Sequence, residues 1–205
     1  MTITSYIGFS ECVGVMTSDT RQVAEAFGRN FILPDKEDKI TKIAPNLITV
    51  SSGYQYLSDF VFKEIQAAEP KHLEDVYEVL KEITPNLKKL FESNFRGSTE
   101  DFMSFSVMGI DEKGKSNVIT YNFFDGEAAL RFENKPYGTP ISFCTLPSED
   151  KINEVYSNIG GLELSNRNDF RVVAIDTTKY LLSLQKEFFR LDPDEVSDTF
   201  CYYVI

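Results

Sequence analysis

The sequence predicts an α+β chain in four layers, an αββα sandwich with two antiparallel sheets between two helical layers. Three observations carry this. Short β-branched stretches and long stretches with helical spacing follow one another as strands, two helices, strands, two helices, strand. An apolar sheet face has to be covered, and a helix pair after each group of strands supplies the cover. No repeat, low-complexity tract or long linker divides the chain, and its 205 residues suit one core better than two, so residues 1–205 are predicted to be a single domain.

Residues 2–9 and 12–18 are apolar and β-branched and are split by Ser10-Glu11, which reads as a hairpin. Residues 20–38 hold Gly28, Pro34 and many charges, so irregular or short extended pieces are expected. Lys39–Ile43 alternates polar and apolar like a half-buried strand, Ala44-Pro45-Asn46 is a turn, and Leu47–Ser52 is a second strand ended by Gly53. Tyr56, Phe60, Val61 and Ile65 then give helical spacing through about Ala68, where Glu69-Pro70 breaks the chain. Leu73, Val76, Val79, Leu80 and Ile83 mark a second helix, with Pro85 a kink or break before Leu87–Phe95. Strands follow at Phe102–Ile110 and Val118–Phe124, and Ala128–Phe132 extends them beyond an Asp125-Gly126 turn. Pro140–Leu146 reads as one more strand, and a helix starts near Ser148, a favourable N-cap, and ends at Gly160-Gly161. Residues 171–190 have helical spacing, although Val172–Ile175 alone is compatible with a strand, and Thr199–Ile205 is a closing strand.

The formal net charge of −11 argues against a phosphate-binding surface, since nucleic-acid affinity needs Lys and Arg to displace counterions. It also disfavours an anionic membrane face. No uncharged apolar run reaches the roughly 18 residues of a membrane span, and the first residues have no signal-peptide pattern, so a cytoplasmic protein is expected. Cys12, Cys144 and Cys201 are odd in number and widely spaced, which suggests a reducing compartment, and Cys201 reads as a small buried hydrophobe. With a single histidine, His72, and no Cys pair, neither metal nor cofactor is expected. His72 reads as a solvated residue at a helix start, and the Phe123-Phe124 and Phe188-Phe189 pairs as core or subunit contacts.

A set of short motifs carries the functional reading. Thr2 opens the first hairpin, and Ser18-Asp19-Thr20-Arg21 follows it. Lys39-Ile40-Thr41-Lys42-Ile43 comes next, with Gly53 ten residues after Ile43. Met108-Gly109-Ile110-Asp111-Glu112 and Tyr121-Asn122-Phe123-Phe124-Asp125-Gly126 stand mid-chain, and Asp194-Glu195-Val196-Ser197 precedes the last strand. In order and spacing this series resembles the proteasome β-subunit family, including the bacterial HslV-type peptidases, over nearly the whole chain. The resemblance implies the N-terminal-nucleophile (Ntn) hydrolase fold and a ring of like subunits.

The resemblance also implies a mechanism. Removal of Met1 would leave Thr2 with a free α-amine, which can take the proton of its own hydroxyl. An α-amine has an ordinary pKa of about 7.7–8.0 and is substantially neutral near physiological pH. By resemblance Lys39 places a positive charge beside the hydroxyl, Asp19 holds Lys39 charged, and the Gly53 N–H receives the oxyanion. Asp194 and Ser197 orient the Thr2 amine. The expected substrate is a peptide or small amide; an inactive ring-forming interaction protein and a small-molecule Ntn amidohydrolase are the alternatives.

Three departures from the family pattern stand out. Cys144-Thr145-Leu146-Pro147-Ser148 replaces a Gly-Ser-Gly-like turn, with Thr145 or Ser148 as substitutes for its serine. Asp198-Thr199 replaces a Gly-Gly pair and puts a carboxylate near the proposed site. The first hairpin is one residue longer than usual, so Ser18 competes with Asp19 for the aspartate position.

Overall fold

In a computed structural model of the chain, the described residues are 4–9, 13–26, 29–34, 39–94, 102–124, 127–133, 141–143, 149–194 and 196–205. In chain order the first strands are β1 (Thr4–Phe9), β2 (Val13–Asp19), β3 (Gln22–Ala26), β4 (Arg29–Leu33), β5 (Thr41–Ala44) and β6 (Leu47–Gly53). Helices α1 (Gln55–Ala67) and α2 (Leu73–Asn94) follow, then β7 (Phe102–Ile110), β8 (Ser116–Phe124), β9 (Glu127–Glu133) and β10 (Ile141–Phe143). The chain closes with α3 (Glu149–Ile159), α4 (Phe170–Leu191) and β11 (Phe200–Val204). The fold is mixed α and β and has, among the described residues, two larger antiparallel sheets, a small two-stranded one and four helices. The Ser10-Glu11 and Asp125-Gly126 turns and the Ser148 cap lie outside the described residues.

Two compact units make up the chain. In the first, residues 1–8, 13–40 and 137–204, the sheet order is β10-β1-β2-β11. β11 runs antiparallel to β2, with Phe200 opposite Asp19 and Val204 opposite Val15. Every residue from Gly14 to Asp19 is buried, so β2 is covered on both faces. Helix α4 lies along β2 and β11 and buries Val173, Thr177, Leu181, Leu184, Gln185 and Phe188 at helical spacing. Asp169 caps its first turn by accepting the Arg171 N–H at 2.9 Å. That cap and the buried Val173 draw Val172–Ile175 into the helix rather than a strand. Helix α3 lies against α4, joined by the Lys151–Asp192 ion pair and by Arg190 to Glu154 at 3.0 Å. Residues 22–33, expected to be irregular or short extended pieces, form the β3–β4 hairpin, with Gln22 opposite Leu33 and Ala26 opposite Arg29. Neither Gln22–Ala26 nor Arg29–Leu33 alternates polar and apolar residues, so the pattern that marks a strand is missing.

The second unit centres on residues 41–136 and the sheet β5-β6-β7-β8-β9. Leu47, Met103, Phe105, Val107, Ile119, Tyr121 and Phe123 line one face, against which α1 sets Leu57, Val61 and Ile65 and α2 sets Leu73, Val76, Leu80, Ile83, Leu87 and Phe91. Helix α2 starts with Asp75 accepting the Lys71 and His72 N–H groups at 2.8 and 3.0 Å. His72 itself is exposed, as the sequence suggests. Pro85 neither breaks nor ends α2, contrary to one expectation from the sequence. Ile83, Leu87 and Phe91 share one buried face across the proline, and their burial outweighs an interior proline's cost of about 3 kcal/mol. Strand β5 starts only at Thr41, so Lys39 and Ile40 precede the strand predicted to contain them.

Among the described residues no helix is long and apolar enough to cross a membrane.

Candidate functional site

Asp19 is the last residue of β2, and its carboxylate is fully buried. Oδ2 accepts the Arg21 N–H at 3.0 Å, which satisfies a backbone donor just past the strand's end. The same oxygen lies 3.5 Å from Lys39 Nζ, in a segment joining β4 to β5; the side-chain exposures are 8% for Lys39 and 0% for Asp19. Removing two charges from water costs several kcal/mol per ion, so such a pair persists only where close geometry and further hydrogen bonds repay the loss. Asp19, and not Ser18, faces Lys39: the Ser18 hydroxyl turns to the Asp19 carbonyl at 3.1 Å.

The segment preceding β11 is fastened to the same end of β2. The Thr20 N–H donates to Ser197 Oγ at 3.0 Å, and the two hydroxyls are 2.9 Å apart. Both hydroxyls reach the Thr199 carbonyl, Thr20 Oγ1 at 3.1 Å and Ser197 Oγ at 2.6 Å. The Arg21 guanidinium donates to the Pro193 and Asp194 carbonyls at 3.4 and 3.2 Å. Asp194 therefore takes part through its backbone, and its side chain is exposed. Asp198 is exposed as well, and its carboxylate accepts the Thr199 hydroxyl at 3.2 Å.

The start of β1 belongs to this end of the sheet. β1 and β2 are hydrogen-bonded neighbours separated by three residues, a connection that only an antiparallel pair allows. Thr4 therefore stands at the end of the sheet where β2 finishes with Asp19. Thr2, Cys12, Cys144, Thr145 and Ser148 lie outside the described residues. Gly53 closes β6 in the second unit, exposed and at φ +89°, a left-handed conformation that glycine adopts without the strain a Cβ brings.

The structure thus brings Asp19, Lys39 and Ser197 to one end of one sheet and places the Asp194 backbone beside them. Sequence reasoning gave no role to Thr20 or Gln185. Thr20 was visible as the middle of the Asp-Thr-Arg motif; its pairing with Ser197, 177 positions away, was not. Gln185 is fully buried on α4 and donates to Thr17 Oγ1 on β2 at 3.4 Å, and helical spacing alone makes it one more face residue. Cys201, expected to be buried, is half-buried, with its thiol directed at the Ser18 carbonyl at 3.5 Å, because β11 forms the outer strand of its sheet. Phe123 and Phe188 are core residues, while Phe124 is exposed. Among the described residues no cluster of His, Cys, Asp and Glu has the arrangement of a metal site.

No protein-family model matches this sequence, and no curated protein matches it. Solved structures do. The helical assembly of the Anbu complex from Pseudomonas aeruginosa superposes with a TM-score of 0.62 at 13% identity, over 99% of this chain and 80% of that one. An Anbu Gly-1 mutant from Hyphomicrobium sp. strain MC1 gives 0.61 at 10% identity, over 100% and 81%. Anbu from Yersinia bercovieri, described as an ancestral beta-subunit, gives 0.60 at 10%, over 98% and 80%. These structures correct the assignment to proteasome β-subunits and HslV-type peptidases that the motifs suggested. Short strand-end motifs such as Asp-Thr-Arg and Asp-x-x-Ser report the geometry of sheet ends and do not separate one branch of a fold from another. The fold of this chain is similar to that of Anbu.

Proposed function

We propose that this chain is an Anbu-like threonine hydrolase that cleaves amide bonds through Thr2 once Met1 is removed. The observation that supports this reading above others is the buried Asp19–Lys39 pair at the sheet end where β1 begins. An ion pair sealed from water there suits the polarisation of a nearby hydroxyl better than it suits stability alone.

In this reading the Thr2 amine takes the proton from its own hydroxyl as the oxygen attacks the substrate carbonyl. Lys39 stabilises the developing alkoxide, Asp19 keeps Lys39 charged, and the Gly53 N–H receives the oxyanion. The protonated amine then gives its proton to the leaving nitrogen as the C–N bond breaks, leaving an ester on Thr2. Water hydrolyses that ester by the same proton path in reverse. Asp194 and Ser197 orient the amine. The reading extends to residues 1–205 acting as one domain, to two sheets stacked between helical layers, and to a homo-oligomer, as in the Pseudomonas aeruginosa complex that is a helical assembly.

A second reading, an inactive assembly subunit, has one observation in its favour. The Ser197 oxygen already meets the Thr20 N–H, the Thr20 hydroxyl and the Thr199 carbonyl, which fills the capacity of a hydroxyl. Two measurements decide between the readings. Intact-mass analysis of the protein from cells is expected to show Thr2 as the first residue. A β-lactone or epoxyketone probe is expected to add one equivalent, and Thr2→Ala to abolish the adduct. Retention of Met1, or labelling that survives Thr2→Ala, defeats the enzyme reading.

A further inference from the structure

We infer that Thr20 is a positioning residue: its hydroxyl and N–H latch the segment before β11, through Ser197, onto the end of β2 that carries Asp19. The inference rests on the enzyme reading for its catalytic consequence but not for the latch itself.

Consecutive residues grip three different parts of the site. Asp19 holds the Lys39 ammonium, Thr20 holds Ser197 through its hydroxyl and N–H and the Thr199 carbonyl through its N–H, and Arg21 holds the Pro193 and Asp194 carbonyls. The three side chains meet different partners and do not compete for any of them. Thr20 is the central member and is buried with Ser197, whereas the Arg21 contacts are exposed.

The hydroxyl geometry makes this contact more than incidental packing. When Ser197 gives its proton to Thr199 O at 2.6 Å, its oxygen accepts both the Thr20 hydroxyl at 2.9 Å and the Thr20 N–H at 3.0 Å. One donation and two acceptances complete a serine hydroxyl. Ser197 then influences an amine mainly through the backbone of 196–199, which Thr20 ties to the end of β2. The Thr20 N–H also reaches the Thr199 carbonyl at 3.2 Å, so losing the Thr20 hydroxyl weakens the latch while these backbone contacts remain.

The test compares Thr20→Val, which keeps the shape and removes the hydroxyl, with Thr20→Ser, which keeps the hydroxyl. Hydrogen exchange of peptides spanning 193–199 and the kinetics of β-lactone labelling are followed in the full chain. Thr20→Val is expected to speed exchange in 193–199 about tenfold or more. It is expected to lower kinact at least tenfold with little change in KI, since probe contacts are untouched, and Thr20→Ser is expected to restore both. Exchange in 193–199 that stays at the wild-type rate in Thr20→Val overturns the latch. Faster exchange with unchanged kinact overturns the positioning role. A wild-type chain that takes no label defeats the enzyme reading and with it the positioning role, while the exchange comparison still decides the latch.

Discussion

The Asp19 carboxylate and the Lys39 ammonium lie 3.5 Å apart, with all of one side chain and nearly all of the other withdrawn from solvent. Each therefore depends on the other in a way that an exposed pair does not. Breaking a buried pair from one side leaves a charge without compensation, which costs about 3–5 kcal/mol. Asp19→Asn and Lys39→Met are each expected to lose on the order of 3 kcal/mol in urea unfolding. The double variant should lose less than the sum of the two. Strict additivity would show that the two groups do not interact.

Gly109 faces Leu47 across the β6–β7 ladder. A Cβ at this position would overlap Leu47 Cδ2 and stand 2.9 Å from the Asn46 carbonyl oxygen and 3.1 Å from Leu73 Cγ. Leu47 and Leu73 are both buried in the core of the second unit, and the carbonyl cannot turn away without disturbing the β5–β6 turn. Gly109→Ala is expected to destabilise by about 1–3 kcal/mol. Thermal melting of the variant is the check, and an unchanged Tm would refute the close approach.

Pro85 lies exposed on an unbroken α2. Its ring removes one helical hydrogen bond and constrains the chain, so Pro85→Ala is expected to stabilise the protein. The gain should be about 1–2 kcal/mol, less than the full interior-proline penalty because proline also restricts the unfolded chain. A lower urea midpoint would show that the proline is needed for the helix's shape.

Burial pushes the phenols of Tyr121, Tyr156 and Tyr180 above their ordinary value of 10.0. Tyr121 also meets Thr84 Oγ1 at 2.8 Å, and Thr84 in turn donates to the Leu80 carbonyl at 2.7 Å. With the Thr84 proton so used, Tyr121 is the donor between them. The unfolded chain ionises these phenols first as pH rises. The stability they contribute is complete below about pH 10 and is lost as pH climbs through the higher folded values. Unfolding midpoints measured from pH 8 to about 11.5 should fall at the alkaline end, and Tyr121→Phe should flatten that fall. It should also cost on the order of 1 kcal/mol at neutral pH through the lost hydrogen bond.

Much of the architecture was legible because strand alternation and helical spacing are local signals. Phe60, Val61 and Ile65 announce α1, and Leu181, Leu184 and Phe188 announce α4, without reference to anything distant. The β3–β4 hairpin was less visible because neither of its strands alternates polar and apolar residues. The uninterrupted α2 was hidden by Pro85, since only the shared core of Ile83, Leu87 and Phe91 reveals why the helix continues. The candidate site divides in the same way. Asp19 and Lys39 stood in recognisable motifs, but whether Ser18 or Asp19 meets the lysine depends on how β2 ends. Thr20 meeting Ser197 is a consequence of β11 returning beside β2, which no local pattern records.

The strand directions have a practical corollary for anyone preparing the protein. β11 leaves the sheet at the end where β2 begins, and β1 enters at the opposite end, the one holding Asp19. An affinity handle appended after Ile205 would emerge away from the buried carboxylate. A handle fused ahead of Met1 would block the Thr2 amine that the proposed chemistry requires. Recombinant chain purified through a C-terminal handle is therefore the form in which silence in an assay would carry meaning.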